Sequence, residues 1–97
     1  MAGMCGGMKS PEPASKECQT YVDQVREPAE AKAGRSFSKF EAKLCATQLV
    51  NGINYFVKVD VGDNQFVHIR FHRSFQGEIS FHSLQDQKSE ADALVHF

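Results

Sequence analysis

Residues 48–61 read QLVNGINYFVKVDV and carry the clearest structural signal in the chain. After the pair Asn51-Gly52, every second residue is apolar: Tyr55, Val57, Val59 and Val61. A period of two predicts an antiparallel strand with one face on a hydrophobic core and the other face half-exposed. Asn-Gly supplies the positive φ angles of a two-residue type I′ turn. The stretch therefore predicts a tight hairpin that leads into a strand.

The same alternation extends outward from this hairpin. It predicts strands over residues 42–50, 53–61, 66–73 and 79–84, with turns at 62–64 and 74–78. On the third of these strands, His68 and His72 fall on the face opposite the core. We expect two solvated histidines there, because residues four apart on a strand are too distant to share one metal ion.

A helix is predicted before the strands. Its apolar face is formed by Cys18, Tyr21, Val22, Val25 and Ala29. Ser15 is the predicted N-cap, and Gly34 can end the helix. Pro28 lacks an amide hydrogen, so the helix must kink there or stop near Glu27. One helix followed by antiparallel strands predicts an α+β domain with the sheet laid across the helix.

Composition narrows the classes of function. The 97 residues are 41% hydrophobic with a net charge of −1, which predicts one domain over residues 1–97 with a flexible trunk over about 1–14. Without a basic stripe, no nucleic-acid partner is expected. No apolar run has the length of a signal peptide or a membrane span, so we expect no membrane partner. The expected location is the cytoplasm, and a nuclear pool is left open.

Three cysteines, Cys5, Cys18 and Cys45, match no zinc spacing and are expected as thiols in a reducing compartment. Cys18 and Cys45 are interpreted as small buried hydrophobes, whereas Cys5 is expected to be exposed and able to link two chains under oxidising conditions. No nucleophile and base can be paired from these positions. We therefore expect no enzyme, no catalytic residue, no metal site and no cofactor.

Residues 48–52, QLVNG, also fit the pattern Gln-x-Val-x-Gly. DQVR at 23–26, NYFVKV at 54–59 and FVHIR at 66–70 flank it in a fixed order. In these segments the chain resembles the stefins, the type-1 cystatins, over about residues 4–97. The resemblance implies the cystatin fold, in which a five-stranded antiparallel sheet wraps one helix, and hence one more strand near the N-terminal tail.

The resemblance further implies tight, reversible inhibition of papain-like cysteine proteases such as cathepsins of the L, B, H and S types. In the family, an N-terminal trunk and two hairpins form a wedge that enters the protease cleft. Carried onto this chain, the trunk residues are Met4, Cys5 and Gly6, the first hairpin is Gln48, Leu49, Val50, Asn51 and Gly52, and the second is Phe75 and Gln76.

The second hairpin departs from the family, because Phe75-Gln76 stands where Leu-Pro is common and the loop is shorter. Loss of proline predicts a less preorganised loop. The alternative function is a cystatin-fold protein-interaction module that does not inhibit. Exchange of the first hairpin between two copies would give a swapped dimer, but the relaxed Asn-Gly turn favours the monomer.

Overall fold

The computed structural model describes residues 7–97 of the chain. Its elements in chain order are β1 (Glu12–Pro13), α1 (Lys16–Gln24), α2 (Arg26–Ala33), β2 (Glu41–Leu49), β3 (Ile53–Gly62), β4 (Gln65–Arg73) and β5 (Ile79–Lys88). The last strand runs four residues further than the predicted end at Leu84. Within residues 7–97, no helix is both long and apolar enough to cross a membrane.

The five strands form one antiparallel sheet in the order β1-β2-β3-β4-β5. The predicted α+β architecture is thereby confirmed, including the strand near the N-terminal tail. That strand has only two residues, but backbone hydrogen bonds from the amides of Lys9 and Ala14 to β2 lengthen the pairing. Part of the segment predicted as a flexible trunk is thus bonded along β2.

The helical segment is broken at Val25, three residues before Pro28. Ser15 caps the start of α1 by accepting a hydrogen bond from the Cys18 amide, and Gly34 ends α2 with a φ of 77°. Pro28 occupies the third position of α2. A continuous helix would set its ring against the carbonyl of Gln24, so the break at Val25 relieves that clash.

The main core lies between the helices and one face of the sheet. It contains residues from α1, α2, β3 and β4, among them Val22, Ala29, Val57, Val59, Ile69 and Phe71, all fully buried. Phe37 and Phe40, in the connection from α2 to β2, stack on each other and close one side. Cys18 is buried as predicted, whereas Cys45 is only half-buried, so its prediction as a buried residue was wrong.

The opposite face of the sheet is also covered, which corrects the prediction of a half-exposed strand. Phe56 of β3 is fully buried in a second cluster with Ala46 and Leu94, against which Phe97 packs. Lys58 donates hydrogen bonds to the main-chain oxygens of two residues after β5. Residues 89–97 therefore lie over this face and exclude water from it. Alternation alone does not reveal such a cover, because the residues beneath it include polar ones.

His68 is 0% exposed, so the prediction of a solvated histidine is wrong. It lies opposite Lys58 in the β3–β4 pairing, and neither of its ring nitrogens has a hydrogen-bond partner. Burial, and then the nearby Lys58 and Lys88 cations, lower the pKa of His68 to about 4, although Asp92 opposes the effect. His72 is half-buried and hydrogen-bonded rather than solvated.

We expect Pro28→Ala to leave the melting temperature unchanged or to lower it by a few degrees. Proline restricts the unfolded chain, which contributes about 0.4–1 kcal/mol where the native backbone accepts it. Thermal unfolding followed by circular dichroism measures the effect, with Glu27→Ala as a neighbouring exposed control. A clear rise in melting temperature would show instead that Pro28 strains a helix that tends to continue.

The buried His68 predicts a loss of stability in acid. Above pH 6.5 the residue is neutral in both states, but between pH 6.5 and 4 only the unfolded chain binds the proton. The free energy of unfolding should therefore fall by up to about 3 kcal/mol as the pH drops through this window. His68→Leu should flatten this dependence, measured by urea unfolding at a series of pH values.

Exposed His82 supplies the matched control, since His82→Gln should retain the acid loss of the unmodified chain. Equal slopes for the unmodified chain and His68→Leu would contradict the assignment.

Candidate functional site

Both predicted hairpins lie at the same end of the sheet. Leu49 pairs with Ile53, Ile53 with Arg73, and Arg73 with Ile79, so these four residues form one row across four strands. We call the two loops beyond this row, residues 50–52 and 74–78, together with Leu49, the hairpin edge. The antiparallel register thus brings together two segments that are separated by more than twenty residues in the sequence.

The first loop has three residues, Val50, Asn51 and Gly52, because the strands end at Leu49 and Ile53. The prediction of a two-residue type I′ turn is therefore wrong. Its physical basis is still visible, since Asn51 and Gly52 have φ angles of 47° and 109°. The amide of Val50 donates to the Gly52 oxygen across the loop at 3.0 Å.

Gly52 packs against the end of β4. A Cβ atom built at this position would stand 2.5 Å from the main-chain oxygen of Arg73 and 2.8 Å from Nε2 of His72. Such distances exclude any side chain unless β4 shifts, and the positive φ independently favours glycine. The glycine therefore lets the first loop lie directly on the strand that leads into the second.

A chain of side-chain hydrogen bonds joins the same strands. Nδ2 of Asn54 donates to Oε1 of Gln48 at 3.0 Å, and Nδ1 of His72 lies 2.8 Å from Oδ1 of Asn54. Gln48 and Asn54 are buried, so these bonds are shielded from competing water. Next to the hairpin edge, β2, β3 and β4 are therefore held together by these side-chain hydrogen bonds as well as by the backbone hydrogen bonds of the sheet.

The second loop is closed by Ser74. Its amide donates to the Glu78 oxygen at 2.8 Å, its hydroxyl accepts from the Glu78 amide at 3.0 Å, and its carbonyl accepts from Gly77 at 2.9 Å. Gly77 has a φ of 92°. Because Gln76 stands where the family commonly has proline, a less preorganised loop was predicted. These hydrogen bonds order the loop without proline.

Three large apolar side chains project from the hairpin edge. Leu49 is 55% exposed, Val50 39% and Phe75 75%. Asn51 and Gln76, the other predicted contact residues in the loops, are exposed beside them, whereas Gln48 is buried in the network below. The arrangement is an apolar tip on a polar, hydrogen-bonded base.

Aromatic residues support the edge from beneath. Tyr55 stacks on Phe71 with ring centroids 4.9 Å apart and meets Tyr21 edge-on at 5.5 Å. The Arg73 guanidinium lies over the Tyr21 ring at 5.2 Å. Burial raises the pKa of Tyr55 to about 12, so its hydroxyl stays protonated across the physiological range. Within the described residues, no group of three or more His, Cys, Asp and Glu side chains could hold a metal ion.

The predicted trunk residues Met4, Cys5 and Gly6 lie outside the described residues. The adjoining chain is described. Pro13 pairs with Leu44, and the amide of Lys9 donates to the oxygen of Thr47 at 2.8 Å. From Pro13 back to Lys9 the chain therefore runs along β2 toward the end that carries the hairpin edge.

Sequence reasoning missed two residues that support the edge, Asn54 and His72. His72 was expected to be solvated, and Asn54 alternates with Tyr55, which places it on the face that was expected to be half-exposed. The feature that could have identified them is the register of β3 and β4, which places Asn54 directly opposite His72. Cross-strand pairing of two polar residues near a turn is therefore a usable indicator in sequences of this kind.

Comparison with known proteins agrees with this architecture. Residues 6–96 match the model of the Cystatin domain. Cystatin-B of Oplegnathus fasciatus is 37% identical over 100 residues, covering all of both chains. Cystatin-B of Homo sapiens and that of Bos taurus are each 39% identical, covering 97% of this chain and 99% of theirs. With a domain match and full-length relatives, the resemblance to the stefins is confirmed, and the chain belongs to the cystatin family of cysteine protease inhibitors.

Proposed function

We propose that this chain is a tight, reversible inhibitor of papain-like cysteine proteases and that the hairpin edge enters the active-site cleft. The observation that carries the proposal is the exposure of Leu49, Val50 and Phe75 together at one end of the sheet. Apolar side chains of this size on adjacent loop tips are typical of a surface that a partner covers.

Affinity would come from apolar burial by loops that are already ordered. Burying Leu49 or Val50 contributes roughly 1.5–3 kcal/mol each. Little of this gain is offset by ordering, since Gly52 rests on Arg73 and Ser74 closes the second loop. The trunk residues Met4, Cys5 and Gly6 would supply a third contact.

Inhibition by this route requires no chemistry from the inhibitor. The loops occupy the cleft on both sides of the catalytic cysteine and offer no peptide bond in line for attack, so the inhibitor is not consumed. No residue of the chain has a catalytic role in this account, and the chain is not an enzyme. The partners proposed are cathepsins of the L, B, H and S types, met in the cytoplasm and in any nuclear pool.

The proposed inhibitory form is the monomer. The first loop adopts positive φ only at Asn51 and Gly52, and both residue types tolerate it. The loop therefore stores little backbone strain that would drive it to open and exchange between two copies. A swapped dimer would unfold the loop and remove it from the edge. A dimer linked through Cys5 would leave both hairpins free.

One observation favours a second function, a cystatin-fold interaction module without inhibitory activity. Phe75-Gln76 replaces the common Leu-Pro, and Phe75 is the most exposed of the large apolar residues at the edge. A different partner could use that ring. The two functions differ in whether the first loop, with its intact Gln-x-Val-x-Gly pattern, is needed for binding.

Titration of active-site-counted papain with the purified monomer separates them. Residual hydrolysis of a small fluorogenic substrate should fall linearly to zero at one equivalent of inhibitor. It should return when the complex is diluted into excess substrate, which competes for the active site. Full activity at micromolar inhibitor would refute the inhibitory function and favour the interaction module.

Val50→Asp should weaken inhibition of papain by about tenfold to a hundredfold, because an apolar contact is lost and the new carboxylate is desolvated on binding. Inhibition constants from progress curves measure the change. Val95 offers a matched control, since it is 54% exposed but belongs to neither loop. Val95→Asp should inhibit like the unmodified chain, and equal losses in both variants would contradict the proposed interface.

Phe75→Ala tests the second loop separately. Removing a ring that is buried on binding should raise the inhibition constant by about tenfold or more. The effect should be largest with a cathepsin B-type enzyme, where an occluding loop must be displaced. Gln76→Ala removes a neighbouring polar side chain and should change the constant less. An unchanged constant for Phe75→Ala would remove Phe75 from the contact surface.

A further inference from the structure

Cys18 and Cys45 are distant in sequence but meet in the fold. Cys18 lies in the first turn of α1 and is 3% exposed, and Cys45 lies on β2, where it packs against the same core. The two side chains line one cavity, and each shifts the pKa of the other. The pair therefore joins the helix to the strand that carries the first hairpin.

A cavity of about 310 Å³ reaches this pair from the surface. Both cysteines line it, together with exposed Lys9, Ser10 and Glu12 of the N-terminal segment. A small solute can thus approach the thiols without unfolding of the sheet. Buried cysteines are commonly inert because reagents cannot reach them, and this cavity removes that obstacle for the half-buried Cys45.

The environment assigns different roles to the two sulfur atoms. The interaction with the Cys18 thiol lowers the pKa of Cys45, although burial and Glu12 oppose it. The same contact, burial and the nearby Glu17 raise the pKa of Cys18. Cys45 therefore ionises first and is also the more accessible sulfur. Thiolate character and access together decide which thiol attacks a disulfide.

We propose that Cys18 and Cys45 form a dithiol site that is converted to an intramolecular disulfide by exchange with a small disulfide such as glutathione disulfide. The bond would fasten α1 to β2 and close a loop over residues 18–45. The hairpin edge lies beyond this link and would remain free to act.

The exchange balances in two steps. The Cys45 thiolate attacks one sulfur of glutathione disulfide; the sulfur–sulfur bond breaks, and the leaving glutathione thiolate takes up the proton that Cys45 lost. Cys18, after giving up its proton, attacks Cys45 Sγ in the mixed disulfide and releases the second glutathione, which accepts that proton. Two protein thiols are oxidised, and one glutathione disulfide is reduced to two glutathione molecules.

Peptide mapping tests the proposal directly. Trypsin places Cys5, Cys18 and Cys45 on three different peptides, residues 1–9, 17–26 and 44–58. The folded full-length chain is equilibrated in glutathione buffers of increasing oxidised fraction, free thiols are alkylated in acid-quenched samples, and the peptides are identified by mass. The expected product is peptide 17–26 joined to peptide 44–58, lost again on addition of dithiothreitol.

Stability supplies a second measurement in the Cys5→Ser background, which leaves only the proposed pair. Oxidation should raise the melting temperature by roughly 10 °C, because a cross-link over a loop of this length restricts the unfolded chain. Cys45→Ser in the same background should show no rise on oxidation. Within this background, the oxidised and reduced chains should inhibit papain equally, because the hairpin edge lies beyond the link.

Two results would overturn the proposal. One is full alkylation of Cys18 and Cys45 in the most oxidising buffer. The other is oxidation that yields only mixed disulfides or links through Cys5.

Discussion

The hairpin edge depends on one close approach, that of Gly52 to the end of β4. The first loop lies on the main chain of Arg73 at a distance that no side chain permits. Because Arg73 is also the last residue before the second loop, both loops share this contact. Arg73 further pairs with Ile79, the first residue of β5, so the start of that strand belongs to the same unit. The close packing of the first loop on the strand that leads into the second therefore requires glycine at position 52.

The contact between Gly52 and Arg73 can hold the two loops together because the sheet that carries them is packed on both faces. The helices cover one face, and residues 89–97 cover the other, so β3 is buried on both sides. Lys58 is 2% exposed and donates to main-chain oxygens of the covering segment. Arg70 lies over the Phe56 ring at 5.2 Å and donates to the Phe97 oxygen. Buried polar groups that are satisfied in this way fix one arrangement of the cover. Among the described residues, His68 lacks a partner on both ring nitrogens, and the buried Nε atoms of Arg70 and Arg73 also lack one.

The sequence predicted those features that arise from local patterns. Alternation located β2, β3 and β4 to within one residue at each end, Ser15 and Gly34 bounded the helical segment, and Asn51-Gly52 marked the turn. Features that depend on contacts distant in sequence were missed. The two residues of β1 are too few for a pattern, and the outer cover, residues 89–97, is a short segment outside the helices and strands. The contact between Cys18 and Cys45 follows from how the helix lies on the sheet, which sequence spacing does not reveal.

For the candidate site, Leu49, Val50 and Phe75 were predicted as exposed contacts. The supporting roles of Asn54 and His72 could be recognised only from the register of the strands.

The central claim is that the hairpin edge is formed before binding and is the surface that meets the protease. A crystal structure of this chain bound to papain tests it most directly. The account predicts that Leu49, Val50 and Phe75 lose their exposure against the cleft, while the backbone of both loops moves by no more than about 1 Å. The hydrogen bonds joining Gln48, Asn54 and His72 should persist in the complex. A complex in which papain contacts another surface, or in which the two loops separate, would contradict it.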